Sequence, residues 1–203
     1  MAIVGMVGAV YASAVAEPTA FIDEATTADV TKKRYQVTDS ALRYWPPDQT
    51  ITVKKNGVII TTGFSLERAG GVVVFADALS VDDVVLVSGA SLAIAECGGF
   101  FNWSIDTESD TEEVSTFSSD GWKEFKQTLN NWSGSAEAYW GDDNFMASVG
   151  ELLVVKLFVD AGVAKQCFEG FAIVSGDSIE TPTEGIVNES IDFQGTGPLY
   201  LRL

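Results

Sequence analysis

The chain has no histidine and few cations: 12 lysines and arginines stand against 29 aspartates and glutamates in 203 residues, a formal net charge of -17. Without imidazole a serine triad of the usual type cannot be assembled, and a cysteine nucleophile lacks its base. The negative charge cannot titrate away near neutral pH. Binding of nucleic acid through phosphate neutralisation is excluded on the same count, because lysine and arginine supply that affinity. Two cysteines, Cys97 and Cys167, are too few for a disulfide framework and, with no histidine, match no standard zinc spacing. Buried free thiols are expected. No apolar run approaches the roughly 20 residues that cross a bilayer. Met1 to Ala16 ends in a signal-like Ala-Ser-Ala-Val-Ala, yet it has no basic start and is interrupted by Gly5 and Gly8, so it reads as a strand.

What is present points to β-structure. With 46% apolar residues the chain can build a real core. Short β-branched and aromatic runs are cut by Gly, Asn and Asp at regular intervals. Asn56-Gly57 lies between Ile51–Lys55 and Val58–Thr62 and has the chemistry of a two-residue hairpin turn. Gly70-Gly71 between Phe64–Arg68 and Val72–Phe75 repeats the arrangement, and Val84–Val87 adds a strand. Residues 30 to 92 therefore read as a compact β-module, with a boundary near 92 to 95. The division is 1–93 for the N-terminal β-module and 94–203 for a second β-domain.

The second domain carries most of the charge. Residues 1 to 95 hold 7 basic and 10 acidic side chains, a net of -3, whereas 96 to 203 hold 5 and 19, a net of -14. Concentrating like charge costs self-repulsion, so the field itself is expected to serve a purpose. A Gly- and aromatic-rich strand from Cys97 to Ile105 leads into the acidic run Asp106–Glu113. One helix is expected over about 120–130, capped by Ser119 or Asp120, with Trp122, Phe125 and Leu129 at helical spacing and needing a sheet to bury them. From Trp132 to Trp140 the pattern alternates: Trp132, Gly134, Ala136, Ala138 and Trp140 share one side, and Ser133, Ser135, Glu137 and Tyr139 the other. Leu152–Val159, Val163–Phe168, Phe171–Val174 and Gly185–Phe193 continue the strands, and Gly195 to Pro198 is expected to break the ladder.

No constellation carries catalysis. Asp106, Glu108 and Asp110 match the first ligand positions of a calcium loop, but Thr111 stands where the turn glycine belongs and Phe117 where the bidentate glutamate belongs. Nothing marks two carboxylates as a glycosidase pair. The sequons at Asn102, Asn131 and Asn188 are short enough to arise by chance, and Gly195-Thr-Gly197 lacks the third glycine of a dinucleotide loop. Catalytic residues, cofactors and metals are all expected to be none.

Several motifs in the second half resemble one family. Asp120-Gly121-Trp122, Trp132-Ser133-Gly134-Ser135 with Tyr139-Trp140, and Phe193-Gln194-Gly195-Thr196-Gly197-Pro198-Leu199, preceded by Val114–Phe117, resemble the major tail tube proteins of long-tailed bacteriophages. The resemblance spans about 94–203; Tyr35–Asp39 and Arg43–Trp45 resemble a stretch some members carry ahead of that core. It implies a mainly β fold, a tail-tube β-sandwich or half-barrel with one flanking helix, plus the small N-terminal β-module, in which Val4–Ser13 is the first core strand and 17–92 an outward decoration. Six copies would join their inner sheets in a β-barrel ring, and the rings would stack into the virion tail tube after assembly in the host cytoplasm. The implied partners are other copies of the chain, a tape measure protein in the lumen during assembly, and tail terminator and distal tail proteins at the ends. Double-stranded DNA would pass without tight binding, and no membrane is involved.

Asp106, Glu108, Asp110, Glu112 and Glu113 are the candidates for the family's inter-ring loop, and Trp122, Phe125, Leu129, Trp132 and Trp140 for helix-on-sheet packing. An acidic bore would repel phosphates that arrive at about one charge per 1.7 Å of duplex axis. Two other readings stay open. One is another virion component, such as a tail terminator, tail completion or decoration protein. The other is a carbohydrate-binding module, with Trp45, Trp103, Trp122, Trp132 and Trp140 as a stacking platform.

Overall fold

The computed structural model describes residues 8–13, 17–141, 148–162 and 166–202. The chain divides into two compact units: Met1–Cys97, Leu153–Gly170 and Tyr200–Leu203 form the first, and Gly98–Leu152 with Phe171–Leu199 the second. Nearly every described element is a strand, as the composition and turn pattern predict.

In the first unit, β1 (Ala9–Ser13) is flanked by β9 (Ile94–Cys97) on one side and β12 (Leu152–Asp160) on the other, both antiparallel. Residues 4–7 of the expected first strand lie outside the described residues. Between β1 and β9 the chain makes a second sheet. Its strands are β2 (Thr19–Ala28), β3 (Arg34–Val37), β4 (Thr52–Lys55), β5 (Val58–Ile60), β6 (Phe64–Glu67), β7 (Val72–Phe75) and β8 (Val85–Ser91), in the order β5-β4-β8-β2-β3-β7-β6. The Asn56-Gly57 hairpin forms as predicted: Lys55 faces Val58, and both turn residues have positive φ, 51° and 81°, which the two-residue turn requires. At Gly70-Gly71 the connection is longer, since Glu67 faces Val72 and four residues intervene.

Strand β2 holds this small sheet together. It pairs with β8 through Ala25 and with β3 from Thr26, and its register shifts between Phe21 and Glu24, where Asp23 has φ 52°. Such an irregularity bends and twists a strand. The core enclosed is Phe21, Tyr35, Val37, Trp45, Val53, Val73, Phe75, Val85 and Val87. Trp45 is fully buried, and its indole N–H donates to the Leu42 carbonyl at 2.7 Å, so burial leaves no donor unmet.

In the second unit, β10 (Phe100–Glu113) pairs with β11 (Phe125–Tyr139), which pairs with β14 (Asn188–Arg202); β13 (Gln166–Glu180) follows β14 in the order. Residues 163–165 of the expected strand Val163–Phe168 lie outside the described residues. The expected helix over 120–130 is not formed. Asp120 and Gly121 have φ 47° and 81°, and the Trp122 amide donates to the Ser119 carbonyl at 2.9 Å, so these residues make a tight turn inside the connection that runs from Glu113 to Phe125. The strand β11 then starts at Phe125. Phe125 and Leu129 are four apart, a spacing that places residues on one side in a strand as readily as in a helix.

A second correction concerns Gly195–Pro198, which does not end the ladder, since β14 runs to Arg202. Its pairing with β11 stops at Ser133 opposite Gln194. Pro198 therefore stands beyond that ladder, where its missing N–H costs nothing on that side.

Candidate functional site

The β10–β11 hairpin outruns its sheet. Pairing of the two strands continues from Phe100 opposite Ala138 to Glu113 opposite Phe125, but β14 supports β11 only up to Ser133. Eight residues of β11 lie beyond that support. At about 3.4 Å per residue they make an arm roughly 27 Å long before the turn, and a bare two-stranded ribbon is marginal in water. The arm also exposes what proteins usually bury: Phe117 is fully exposed, Trp122 80%, Leu129 71% and Phe125 59%. With no helix formed, Trp122, Phe125 and Leu129 do not serve as helix-on-sheet packing.

Asp106, Glu108, Asp110, Glu112 and Glu113, expected in a loop, lie instead along β10, all exposed. Glu113 is bound by Lys123 at 2.8 Å, and that hydrogen bond, with one from Ser115, holds its carboxyl below the usual range.

At the base of the arm the sheet has two unlike faces. Asp106 faces Ser133, which faces Gln194; Ser104 faces Ser135, which faces Asp192; Glu137 faces Ser190. The Asn102 amide donates to Glu137 Oε2 at 3.0 Å, and the Ser104 and Ser135 hydroxyls lie 3.1 Å apart. This side is polar, and its formal charges are carboxylates. Trp132, Ala136, Ala138, Ile191 and Phe193 are buried on the other side, as the alternation of Trp132–Ala138 predicts. Trp140, past the end of β11, is half-exposed.

Trp132 is held on three sides. Its ring meets Phe193 edge-on at 6.2 Å, its N–H donates to the Gly197 carbonyl at 3.0 Å, and Gly195 lies so close that any Cβ there would overlap the indole. Gly134 is equally constrained, by Phe193 and the Ser104 carbonyl.

The first unit holds an ionic cleft of about 630 Å³ that no sequence signal announced, because its members lie far apart in the chain. Glu169, 2% exposed, accepts from Arg202 Nε at 2.6 Å and from the Tyr44 hydroxyl at 3.1 Å, and lies 3.5 Å from Lys156 Nζ. Glu67 takes the forked guanidinium of Arg34 and, at 2.8 Å, Arg202 Nη1. Burial raises the Glu67 pKa, but the two guanidiniums outweigh it and hold the carboxyl below its ordinary value. Its share of stability is thus present above the unfolded pKa and is lost as pH falls through the folded one. Burial and the neighbouring Glu169 push the Tyr44 phenol far up, and burial pushes up the Cys167 thiol. Neither cysteine forms a disulfide; Cys167 is buried and Cys97 half-buried.

In the second unit, burial raises the Asp177 carboxyl above its ordinary value. A raised folded pKa gives stability that is complete below the unfolded pKa and is lost as pH rises through the folded one. Asp177→Asn is therefore expected to raise the melting temperature at pH 8 and to leave it unchanged near pH 4. A melting curve lowered at pH 8 would show that the carboxylate is paid for elsewhere in the fold.

Among the described residues no three histidine, cysteine, aspartate or glutamate side chains are placed to hold a metal, and no helix is long and apolar enough to cross a membrane.

No protein-family model and no curated protein matches the chain. Among solved structures, the chain is similar to one from the tail of an empty gene transfer agent particle, computed with helical refinement and C6 symmetry. The identity is 14%, the match covers 55% of this chain and 87% of that one, and the TM-score is 0.46. It is similar also to a chain from the virion of a native gene transfer agent particle, at 14% identity, over 54% of this chain and 89% of that one, with a TM-score of 0.45.

Proposed function

We propose that the chain is a structural virion protein, the major tail tube subunit of a long-tailed phage-like particle, which stacks as hexameric rings into a hollow tube that conducts DNA. The observation that carries this reading is the β10–β11 arm. A marginal ribbon that exposes Phe117, Trp122, Phe125 and Leu129 is explained by burial against another copy, where each large side chain contributes about 1.5–3 kcal/mol. Among the described residues β10 and β9 stand at the two ends of the strand order, and closing a ring of copies joins such edges. In this reading the second sheet of the first unit, inserted between the paired strands β1 and β9, decorates the tube.

The polar face bearing Asp106, Glu137 and Asp192 supplies the bore. Carboxylates there repel phosphate and leave passing DNA no sticking point. Particles carrying Glu137→Lys and Asp192→Lys should eject DNA more slowly, and their isolated tubes should retain duplex DNA at 50 mM salt. Unaltered ejection and no retention would remove these side chains from the bore.

Negative-stain microscopy of the purified protein tests the whole reading. Open-ended tubes are the expected result. Single closed rings would point to a tail terminator, and monomers at every concentration would end the proposal. Leu129→Ser should raise the concentration at which tubes form by roughly tenfold to a hundredfold, since it removes about 1.5–3 kcal/mol of burial.

A further inference from the structure

In a chain of net charge -17, four of the 12 cations converge on one cleft: Arg34, Arg43, Lys156 and Arg202 line it, with only Glu67 and Glu169 as counter-charges. The two glutamates are engaged by Arg34, Arg202 and Lys156. Arg43 is held by the Val37 and Thr38 carbonyls at 2.8 and 2.9 Å, which fix its guanidinium without neutralising it. The cleft thus keeps an excess of two positive charges. Its walls are also aromatic: Lys156 Nζ stands 5.9 Å from the Tyr44 ring and 5.2 Å from the Phe158 ring, and the Arg202 guanidinium 4.7 Å from the Tyr200 ring. A surface that pairs cations with rings recognises acids and aromatic side chains together.

The end of the β10–β11 arm has that composition. Residues 112–124 carry four carboxylates, Glu112, Glu113, Asp120 and Glu124, against the single Lys123. They also present Phe117 fully exposed and Trp122 80% exposed. We propose that the cleft of one subunit receives the tip of the β10–β11 hairpin from a second copy, with Phe117 and Trp122 against the rings and the tip carboxylates facing Arg43 and Lys156. The proposal rests on the reading of the chain as a self-assembling subunit, and adds to it the receptor for the arm. The volume, about 630 Å³, lies within the range that holds compact ligands. It suits the few side chains of a turn and not the length of a strand. Opposite excess charge on tip and cleft also steers copies together and penalises contact between two tips.

Photo-cross-linking decides the matter without disturbing the fold, because Phe117 is fully exposed. With Phe117→p-benzoylphenylalanine in the full-length chain, illumination of assembled protein should yield covalent multimers. Their junctions should map by mass spectrometry to peptides containing Arg34 to Tyr44, Lys156 to Glu169 or Tyr200 to Arg202. Tubes whose junctions fall on another hairpin or on the small sheet overturn the cleft assignment and leave the tube reading intact. If the protein stays monomeric and yields no multimers, both fall. Arg43→Gln provides a second measurement. It should raise the concentration needed for assembly by roughly tenfold or more, the effect of losing a charged hydrogen-bonding partner. Assembly of a folded Arg43→Gln protein at the wild-type concentration overturns the assignment.

Discussion

Arg202→Met is expected to lower the free energy of unfolding by about 3–5 kcal/mol, the usual consequence of removing one partner from a buried ion pair. Methionine keeps much of the aliphatic stem, so the loss is one of charge, of hydrogen bonding and of the guanidinium's contact with the Tyr200 ring. Three bonds disappear together: to Glu169 at 2.6 Å, to Glu67 at 2.8 Å and to the Ala69 carbonyl at 2.8 Å. Burial alone would lower the Arg202 pKa, but Glu169 and Glu67 outweigh it, so the guanidinium stays charged in the fold. Without it, Glu169 must hold its charge in a site 2% exposed with Lys156 at 3.5 Å and the Tyr44 hydroxyl, or take up a proton. Urea unfolding measures the loss. Glu169→Gln in the same chain should recover part of it, because the unmatched charge is then gone. If Arg202→Met unfolds within 1 kcal/mol of the wild type, the cleft is solvated and its ion pairs are worth what surface pairs are worth.

The contrast between the hairpins shows what was legible beforehand. At Asn56-Gly57 two residues that tolerate positive φ lie between β-branched runs, and only one local structure satisfies both facts. Asp120-Gly121 carries the same signal and has positive φ at both residues, although the strands around it pair only from Glu113 and Phe125 outward. Asp120 also reads as a helix cap, because Asp caps helices and because Phe125 and Leu129, four apart, satisfy either period. The exposure of Trp122, Phe125 and Leu129 could not have been foreseen from a pattern that registers apolar spacing and says nothing of the partner. The acidic run 106–113 reads as a loop for a related reason: repulsion argues against compaction, but an extended strand spaces its charges and can bear them. Alternation over Trp132–Trp140 identifies the buried and wet faces as far as Ala138, since a two-residue period admits one assignment, and fails at Trp140, which lies past the end of β11 and is half-exposed. The cleft was hidden altogether, because Arg34, Glu67, Lys156, Glu169 and Arg202 come together only when strands remote in sequence are brought side by side.

The second large effect is expected where Trp132 meets Gly195. Trp132→Ala should cost about 3–5 kcal/mol, the range for emptying a buried aromatic site, and should free the Gly197 carbonyl of its indole donor. Gly195→Ala approaches the same contact from the other side: its added methyl would occupy space held by the indole ring. The ring cannot retreat without leaving Phe193 at 6.2 Å and its bond to Gly197, so a cost of about 1–3 kcal/mol is expected from overpacking. The two changes should not add. In the Trp132→Ala background the methyl enters a cavity, and Gly195→Ala should become neutral or stabilising, giving a coupling of at least 1 kcal/mol in a double-mutant cycle. Additive losses would mean that Gly195 is required for its backbone and not for the space it leaves. The same pair also separates folding from assembly. Trp132 sits where β14 stops supporting β11, so loosening it should unseat the base of the arm, and assembly should fail at temperatures where circular dichroism still reports a folded subunit. Leu129→Ser, out on the arm, should weaken assembly with no change in melting temperature.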